Sequence, residues 1–267
     1  MKKYISILMA ALLISCEEVI ELDLNSSDPQ VVIEANLTND ISKNFVKITE
    51  STDFYNPGNY INISNAAVKI VVNNTEEYIL NEISPGNYFN ENLLAVPENE
   101  YRIVVDYSGK NYEAVSQVPK PILIDSLSYK LETRPFNKDK KYLELHVHFK
   151  DNPDRKDFIR FVIYKNSEKL DGIFLYDDRL TNGNNIDFFF FNFNDEEFNS
   201  GDKILVELNT IDQKSHTYFK TLRNARANSR SGPFGSAAPA NPETNWNNNA
   251  FGYFSAFAYY SKEIILQ

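Results

Sequence analysis

The sequence is poor in the residues on which covalent, redox and metal chemistry most often depends. Its 267 residues include one cysteine, three histidines and one tryptophan. A single cysteine excludes a disulfide framework, a cysteine zinc site and a thiol redox pair. Three histidines leave little material for a metal enzyme or a catalytic triad. Basic residues are also scarce, 27 against 37 acids, and this argues against nucleic-acid binding, which needs clustered Lys and Arg.

Apolar residues, in contrast, are present in ordinary amounts. Hydrophobic residues make up 42% of the chain, and Phe and Tyr contribute 19 and 16 residues. That fraction is typical of folded proteins and disfavours wholesale disorder. At roughly 100–200 residues per domain, the length predicts one large or two small domains.

The N-terminus carries a targeting signal. Lys2 and Lys3 precede an apolar run at 4–14, YISILMAALLI. This run is too short to cross a bilayer as a helix, which takes about 20 residues, and it fits the core of a secretory signal peptide. The next residues, Leu13-Ile14-Ser15-Cys16, resemble the lipobox of bacterial lipoproteins. The resemblance implies a signal peptide at 1–15 and lipidation of Cys16; the alternative is a free cysteine after an ordinary signal peptide.

An acidic segment follows the cysteine. Residues 16–29 are predicted to form a tether, and its first part at 17–23, EEVIELD, is rich in carboxylates. Such a stretch after the lipidated cysteine resembles the surface-export signal of Bacteroidota lipoproteins. The resemblance implies a lipid-anchored protein on the outer membrane that faces the cell exterior. The alternative is a solvated tether without any export role.

The rest of the chain is predicted to be mainly β. Seven short strands separated by turns at 30–118 favour an immunoglobulin-like sandwich, and their order resembles that of transthyretin-like sandwiches. Two prolines in the connector 118–121 indicate a boundary. Residues 122–267 predict a second β-rich domain, with one helix near 212–228 and a long loop at 229–249. We expect Asp212 to cap that helix.

Two segments near the C-terminus resemble a known family. They are PANPETNW at 239–246 and GYFSA at 252–256, and the acidic start and the strand QVVIEA at 30–35 agree with them. The family is the Bacteroidota outer-membrane lipoprotein family with domain of unknown function 4249. The resemblance implies a partner, a TonB-dependent receptor barrel, and a role in nutrient capture or gating. In place of one or two glycines expected before Gly-Tyr-Phe, this chain has Asn247-Asn248-Asn249.

Aromatic residues supply the candidate contact site. Trp246 in the long loop is a candidate for an exposed anchor on a partner or ligand; the alternative is that it pins the loop to its own domain. Phe251, Tyr253 and Phe254 suit a sugar platform or a barrel contact, although aromatics are also enriched in core strands. The same choice applies to the run Phe188–Phe191, for which burial in a core is the default.

Candidate metal ligands are few. Glu144, His146 and His148 alternate along one strand and therefore share a face, where they offer ligands to a metal or form an ordinary solvated face. The oxygen-rich loop 177–187 suits calcium but lacks the spacing of an EF-hand. A hairpin turn at Asn182-Gly183 is the favoured interpretation of that loop.

No catalytic residue is assigned. The sequence has no G-x-S-x-G motif and no histidine motif of a metalloprotease, and no cofactor is expected. The leading hypothesis is a non-enzymatic accessory subunit of a TonB-dependent transporter. The alternatives are a glycan-binding or glycan-processing surface protein, the latter with paired carboxylates, and a structural protein of the envelope or of adhesion.

Overall fold

The computed structural model describes residues 29–51, 60–134, 137–178, 183–191, 193, 196–229 and 241–267. Cys16, the signal peptide and nearly all of the tether lie outside these residues. The described part contains sixteen strands and one α-helix, so the prediction of a mainly β chain with one helix is confirmed. The strands are β1 Val31–Thr38, β2 Phe45–Glu50, β3 Ile61–Asn62, β4 Ala67–Val72, β5 Glu76–Ser84, β6 Asn87–Phe89, β7 Glu100–Tyr107, β8 Lys110–Gln117, β9 Ile124–Arg134, β10 Asn137–Lys150, β11 Phe158–Lys165, β12 Glu168–Lys169, β13 Phe174–Asp177, β14 Asn185–Phe190, β15 Lys203–Ile211 and β16 Phe251–Ile265.

The strands form two sheets. A 13-stranded sheet has the main order β12-β11-β15-β16-β1-β2-β6-β5-β4-β7-β8, with β13 beside β11 and β3 beside β2. A three-stranded sheet has the order β14-β10-β9. All the strand pairs that link neighbours in sequence are antiparallel, whereas β1 and β16 run parallel. The last strand therefore lies between the first strand and β15.

The N-terminal half encloses its own core because the large sheet folds back on itself. Apolar side chains of β1, β2 and β16 meet those of β4, β7 and β8 in one buried cluster. Ser116 of β8 reaches across to β16, where its Oγ accepts a hydrogen bond of 2.9 Å from the Ala256 main-chain N–H. This arrangement agrees with the predicted sandwich.

A second core lies in the C-terminal half. Leu143, Leu145 and Val147 of β10 pack against Ile204, Val206 and Leu208 of β15, which places the small sheet over one face of the large sheet. Successive phenylalanines at the end of β14 and just beyond it point to opposite faces of the small sheet. Phe190 is buried, as the core interpretation predicted, while Phe189 and Phe191 are exposed and stack on each other at 5.9 Å.

Strand β16 takes part in both cores. Phe254, Ala256 and Ala258 are buried in the N-terminal core, and Tyr260 packs against the C-terminal core. Side chains of the other parity, Tyr253 and Phe257, point to the opposite face of the sheet. The large sheet is thus continuous across the connector 118–121, which the sequence marked as a boundary.

The single helix, α1, spans Gln213–Ser229, close to the predicted 212–228. Asp212 caps it as expected, since its Oδ1 accepts a hydrogen bond of 2.7 Å from the Ser215 N–H. Tyr218 and Phe219 of α1 pack on Tyr253, with ring centroids 4.8 and 4.9 Å away. The helix therefore covers part of the outer face of β16. No helix in the described residues is both long and apolar enough to cross a membrane.

Two of the turns have the backbone that their residues favour, and a third lies partly outside the described residues. Asn73 and Asn74, in the three-residue connection between β4 and β5, both have positive φ, which asparagine tolerates better than most residues. Ser108 and Gly109, which form the two-residue turn between β7 and β8, also have positive φ. The strands on either side of the turn predicted at Asn182-Gly183 pair with different strands, β13 with β11 and β14 with β10. Asn182 itself lies outside the described residues.

Candidate functional site

A polar groove of about 320 Å³ crosses the outer face of the large sheet, where β1, β16, β15 and β11 lie side by side. The strand register places polar and aromatic side chains together on this face. Asn36 is paired with Ser255. Asn209 is paired with Tyr259 on one side and with Arg160 on the other. The groove is lined by Asn36, Ser42, Lys43, Phe45, Arg160, Val162, Tyr164, Lys169, Glu207, Asn209, Tyr253, Phe257 and Tyr259.

An ion pair lies at the centre of the groove. Lys43 Nζ donates a hydrogen bond to Glu207 Oε1, and the Glu207 side chain is only 5% exposed. Burial lowers the pKa of the Lys43 amino group, but the hydrogen bond and the charge of Glu207 raise it by more, so its pKa lies above the usual value. Tyr164 also hydrogen-bonds Glu207, and burial raises the pKa of its hydroxyl. Both side chains stay protonated and hold the carboxylate in place.

Two amide oxygens in the groove have no hydrogen-bond partner. They are Oδ1 of Asn36 and Oδ1 of Asn209, and both atoms are buried. A buried acceptor without a donor costs about 1–3 kcal/mol. Nearly all buried polar groups of folded proteins are paired, so each exception calls for a reason. A ligand with hydroxyl or amine donors would satisfy both oxygens once neighbouring side chains move aside, because neither oxygen is accessible to water.

Aromatic rings form the walls of the groove. Lys43 Nζ lies 5.4 Å from the ring centroids of both Tyr164 and Tyr259. Tyr253 is largely buried; burial raises its pKa to about 12, although the charge of Arg160 acts in the opposite direction. Its hydroxyl therefore remains a neutral hydrogen-bonding group at ordinary pH. Rings beside polar groups provide large contact area with directional polar contacts.

The charge of the groove is opposite to that of the whole chain. Lys43, Arg160 and Lys169 line it, and Glu207 is the one carboxylate among its described lining residues. A positive groove in a chain of formal charge −10 attracts anionic groups. A lone carboxylate held by Lys43 does not supply the pair of acids that glycoside hydrolysis requires. The arrangement is suited to binding.

The predicted contact residues occupy different places. Tyr253 lines the groove, and Phe251 is half-buried at the start of β16. Phe254 and Trp246 are buried in the N-terminal core, 0% and 5% exposed. The expectation of an exposed Trp246 is therefore wrong, and the alternative, a tryptophan that pins the loop to its own domain, describes the structure. Residues 230–240 of the predicted loop lie outside the described residues.

Asparagine side chains fix the segment around Trp246 through hydrogen bonds to the main chain of neighbouring strands. Asn245 both donates to the Phe254 carbonyl, at 2.7 Å, and accepts from the Phe254 N–H, at 2.9 Å. Asn247 accepts a hydrogen bond from the Glu113 N–H at 2.7 Å. Asn248 and Asn249 have φ of 51° and 60°, in the left-handed region that asparagine tolerates better than most residues. They thereby fill positions where glycine was expected.

The predicted histidine cluster is an ion-pair network. His146 Nε2 lies 2.9 Å from Glu144 Oε1, and His146 Nδ1 lies 2.8 Å from Asp187 Oδ1, so carboxylates occupy both ring nitrogens. Burial lowers the pKa of His146, but the hydrogen bonds to Glu144 and Asp187 raise it above its usual value. His148 Nε2 lies 2.8 Å from Ser128 Oγ, and its Nδ1 lies 3.7 Å from Asp187 Oδ1. A protonated His146 between two carboxylates accounts for this arrangement without a metal.

A larger cleft of about 680 Å³ lies between β8, the start of α1 and residues 243–245. Its central acid, Asp212, is already engaged: Oδ1 caps the helix, and Oδ2 accepts a hydrogen bond of 2.7 Å from Ser116 Oγ. We therefore assign this cleft a structural origin, where the helix joins the sheet.

The sequence patterns did not single out three residues of the groove, Lys43, Glu207 and Asn209. A signal for two of them was present, because Glu207 and Asn209 alternate with Val206 and Leu208 in β15. Such alternation ordinarily indicates a solvent face. Only the pairing of β15 with β16 and β11 shows that these polar side chains are buried among aromatic rings.

The comparisons with known proteins identify a family without a known activity. No curated protein matches the chain. The family model described as Domain of unknown function (DUF4249) matches residues 17–263, which is nearly the whole chain beyond the predicted signal peptide. The chain belongs to the DUF4249 family.

Proposed function

We propose that the protein is a lipid-anchored binding protein of the bacterial outer membrane, a non-enzymatic accessory subunit of a TonB-dependent transporter that takes part in nutrient capture. In this proposal Cys16 holds the lipid, the tether lifts the β-structure from the membrane, and the groove on the large sheet contacts the ligand. The observation that favours binding most strongly is the pair of unpartnered, buried amide oxygens of Asn36 and Asn209.

The location rests on the sequence. A basic start, an apolar run and a cysteine at residue 16 have the order expected of a lipoprotein signal. Several acyl chains on one residue anchor a protein stably, where a single chain is marginal. The acidic residues at 17–23 support the assignment to Bacteroidota and to the cell exterior.

The ligand class rests on the groove. Unpartnered amide oxygens need hydrogen-bond donors, and the surplus of Lys43, Arg160 and Lys169 over Glu207 favours negative charge. A hydroxylated ligand with an acidic group, such as an oligosaccharide that contains uronic acid, offers both. The groove has a volume of about 320 Å³, which suits one or two sugar rings.

The transporter proposal is tested by affinity purification of the tagged, lipidated protein from native outer membranes, followed by mass spectrometry. We expect a TonB-dependent barrel in stoichiometric amount. A C16S variant, which removes the lipid site, serves as the control and should leave the membrane fraction. Recovery of the lipidated protein without any barrel overturns the transporter role.

The ligand proposal is tested separately by titration of acidic and neutral oligosaccharides. We expect binding of the acidic members, and an approximately tenfold or greater loss in R160M, which removes one groove cation. K110M removes one exposed cation at the start of β8 and should bind as the unchanged protein does. Equal weakening by both variants would show that only the overall charge matters.

A free-standing glycan-binding surface protein is the second candidate, favoured by the tyrosines that line the same groove. It predicts oligosaccharide binding without a barrel partner. A structural or adhesive role predicts neither a barrel partner nor oligosaccharide binding. The affinity purification and the oligosaccharide titration together therefore separate the three functions.

A further inference from the structure

Three aspartates from two loops meet inside the C-terminal half: Asp151 and Asp157 lie at the two ends of the loop between β10 and β11, and Asp178 lies in the loop after β13. Asp151 directly follows β10, Asp157 directly precedes β11, and Asp178 directly follows β13. Their side chains are 1%, 1% and 2% exposed. Each offers one carboxylate oxygen, and these oxygens all lie within 4.8 Å of one another. No other group of three potential metal ligands converges in this way in the described residues.

Hydrogen bonds fix the three carboxylates but do not use all their oxygens. Asp151 Oδ2 accepts a hydrogen bond of 2.8 Å from the Gly183 N–H, and Asp178 Oδ2 accepts one of 2.8 Å from the Asp157 N–H. Asp157 Oδ1 accepts one of 2.6 Å from Arg155 Nε. Of the three remaining oxygens, Asp151 Oδ1 and Asp157 Oδ2 are buried and have no hydrogen-bond partner.

The charge of the cluster is not balanced. Arg155 is the one cation that contacts it in the described part of the chain, so three carboxylates and one guanidinium leave two negative charges. A buried carboxylate without a counter-charge is strongly unfavourable. In keeping with this, burial raises the pKa of both Asp151 and Asp157, and the nearby Asp178 raises it further. One divalent cation would neutralise the surplus.

We propose that Asp151, Asp157 and Asp178 bind a calcium ion. The site is made of hard carboxylate oxygens alone, which excludes the softer metals that prefer nitrogen or sulfur. Calcium accepts several carboxylates in irregular loop geometry, whereas magnesium usually takes one or two and keeps most of its water. Asp151 borders an open cleft of about 400 Å³, which provides access for the ion and for the waters that complete its coordination.

The ion would have a structural role in the loops at this end of the fold. It would join the ends of β10 and β13 to the start of β11. Arg155, which binds Asp157, also donates a hydrogen bond of 2.6 Å to the Lys120 carbonyl in the connector 118–121. Calcium would therefore stabilise the connector as well as the two loops.

The proposal is tested by thermal unfolding of the purified full chain in detergent after removal of metal with EDTA. Addition of calcium at 100 times its dissociation constant should raise the Tm by about 5–10 °C, and titration calorimetry should show one site. D151N should abolish both effects. D154N, which removes an exposed carboxylate from the same loop, is the matched control and should respond as the unchanged protein does.

A second comparison separates a metal site from a merely structural polar cluster. In EDTA, D151N should unfold at the same or a higher temperature than the unchanged protein, because it removes uncompensated charge; in calcium the order should reverse. If D151N does not fold, D157N provides the same comparison. Absence of any calcium effect on the unchanged protein overturns the proposal, and so does equal destabilisation by D151N with and without calcium. An equal response to magnesium overturns the assignment to calcium.

Discussion

The indole Nε1 of Trp246 donates a hydrogen bond of 3.1 Å to the main-chain oxygen of Ile33, a residue 213 positions earlier in the chain. Ile33 lies in β1, and Trp246 lies in the segment before β16, so this contact joins the two parallel strands. Both residues are buried in the N-terminal core. The tryptophan is therefore a structural tie between the ends of the described chain.

We predict that the native emission of Trp246 is blue-shifted and protected from iodide, because it is the one tryptophan of the chain and is buried. W246F should cost about 2 kcal/mol of unfolding free energy through a lost hydrogen bond and a small cavity. Emission spectra and denaturant titration measure the two effects. A native emission maximum equal to that of the unfolded chain would contradict the burial.

Gly252 allows this tie to form. A Cβ at Gly252 would lie 2.1 Å from the Ile33 oxygen, and its φ of +93° is itself unfavourable for other residues. We predict that G252A destabilises the protein by at least about 3 kcal/mol, measured by denaturant unfolding. Gly109 also has positive φ but no atom within 4 Å of its Cβ position. G109A should therefore cost only about 1 kcal/mol, and similar losses in both variants would argue against the close approach.

The buried pair in the groove should behave differently from a surface pair. K43M leaves Glu207 buried without its cation and should cost about 3 kcal/mol of unfolding free energy. K69M breaks the exposed pair of Lys69 and Glu77 and should cost less than about 1 kcal/mol. Chemical unfolding of the two variants gives both values. The double variant K43M/E207L should recover part of the loss, since it removes the buried charge together with its partner.

Stability should depend on pH through His146. The pKa of His146 is raised in the folded protein, so its ion pairs contribute fully below the unfolded value of about 6.5 and are lost as pH rises through the folded value. H146N should therefore reduce the fall in stability above pH 6.5. Thermal unfolding between pH 5 and 9 tests this, and an unchanged pH profile in H146N would refute it.

Local patterns were sufficient to predict much of the fold. Alternating apolar residues predict strands such as β7, the spacing of Tyr218, Phe219 and Leu222 predicts the helix, and paired asparagines predict the turn at 73–74. Each of these depends on residues a few positions apart.

The groove and the aspartate cluster depend instead on distant pairings. Asn36 and Glu207 share the groove only because β16 lies between β1 and β15. Asp151 and Asp178 meet only because β10 and β13 belong to different sheets that end at the same place. The predicted exposure of Trp246 is wrong for the same reason. Its neighbours Asn245 and Asn247 hydrogen-bond to β16 and β8, and the indole is buried in the N-terminal core.

The parallel pairing of β1 with β16 also constrains how the chain is made. β1 emerges early from the ribosome, whereas its partner, residues 251–257, emerges more than 200 residues later. Until then one edge of β1 has free hydrogen-bonding groups, and such an edge can pair with other chains. Folding of the N-terminal half must therefore wait for the C-terminal strand. A nascent or truncated chain that stops before residue 251 is expected to depend on chaperones and to aggregate in their absence.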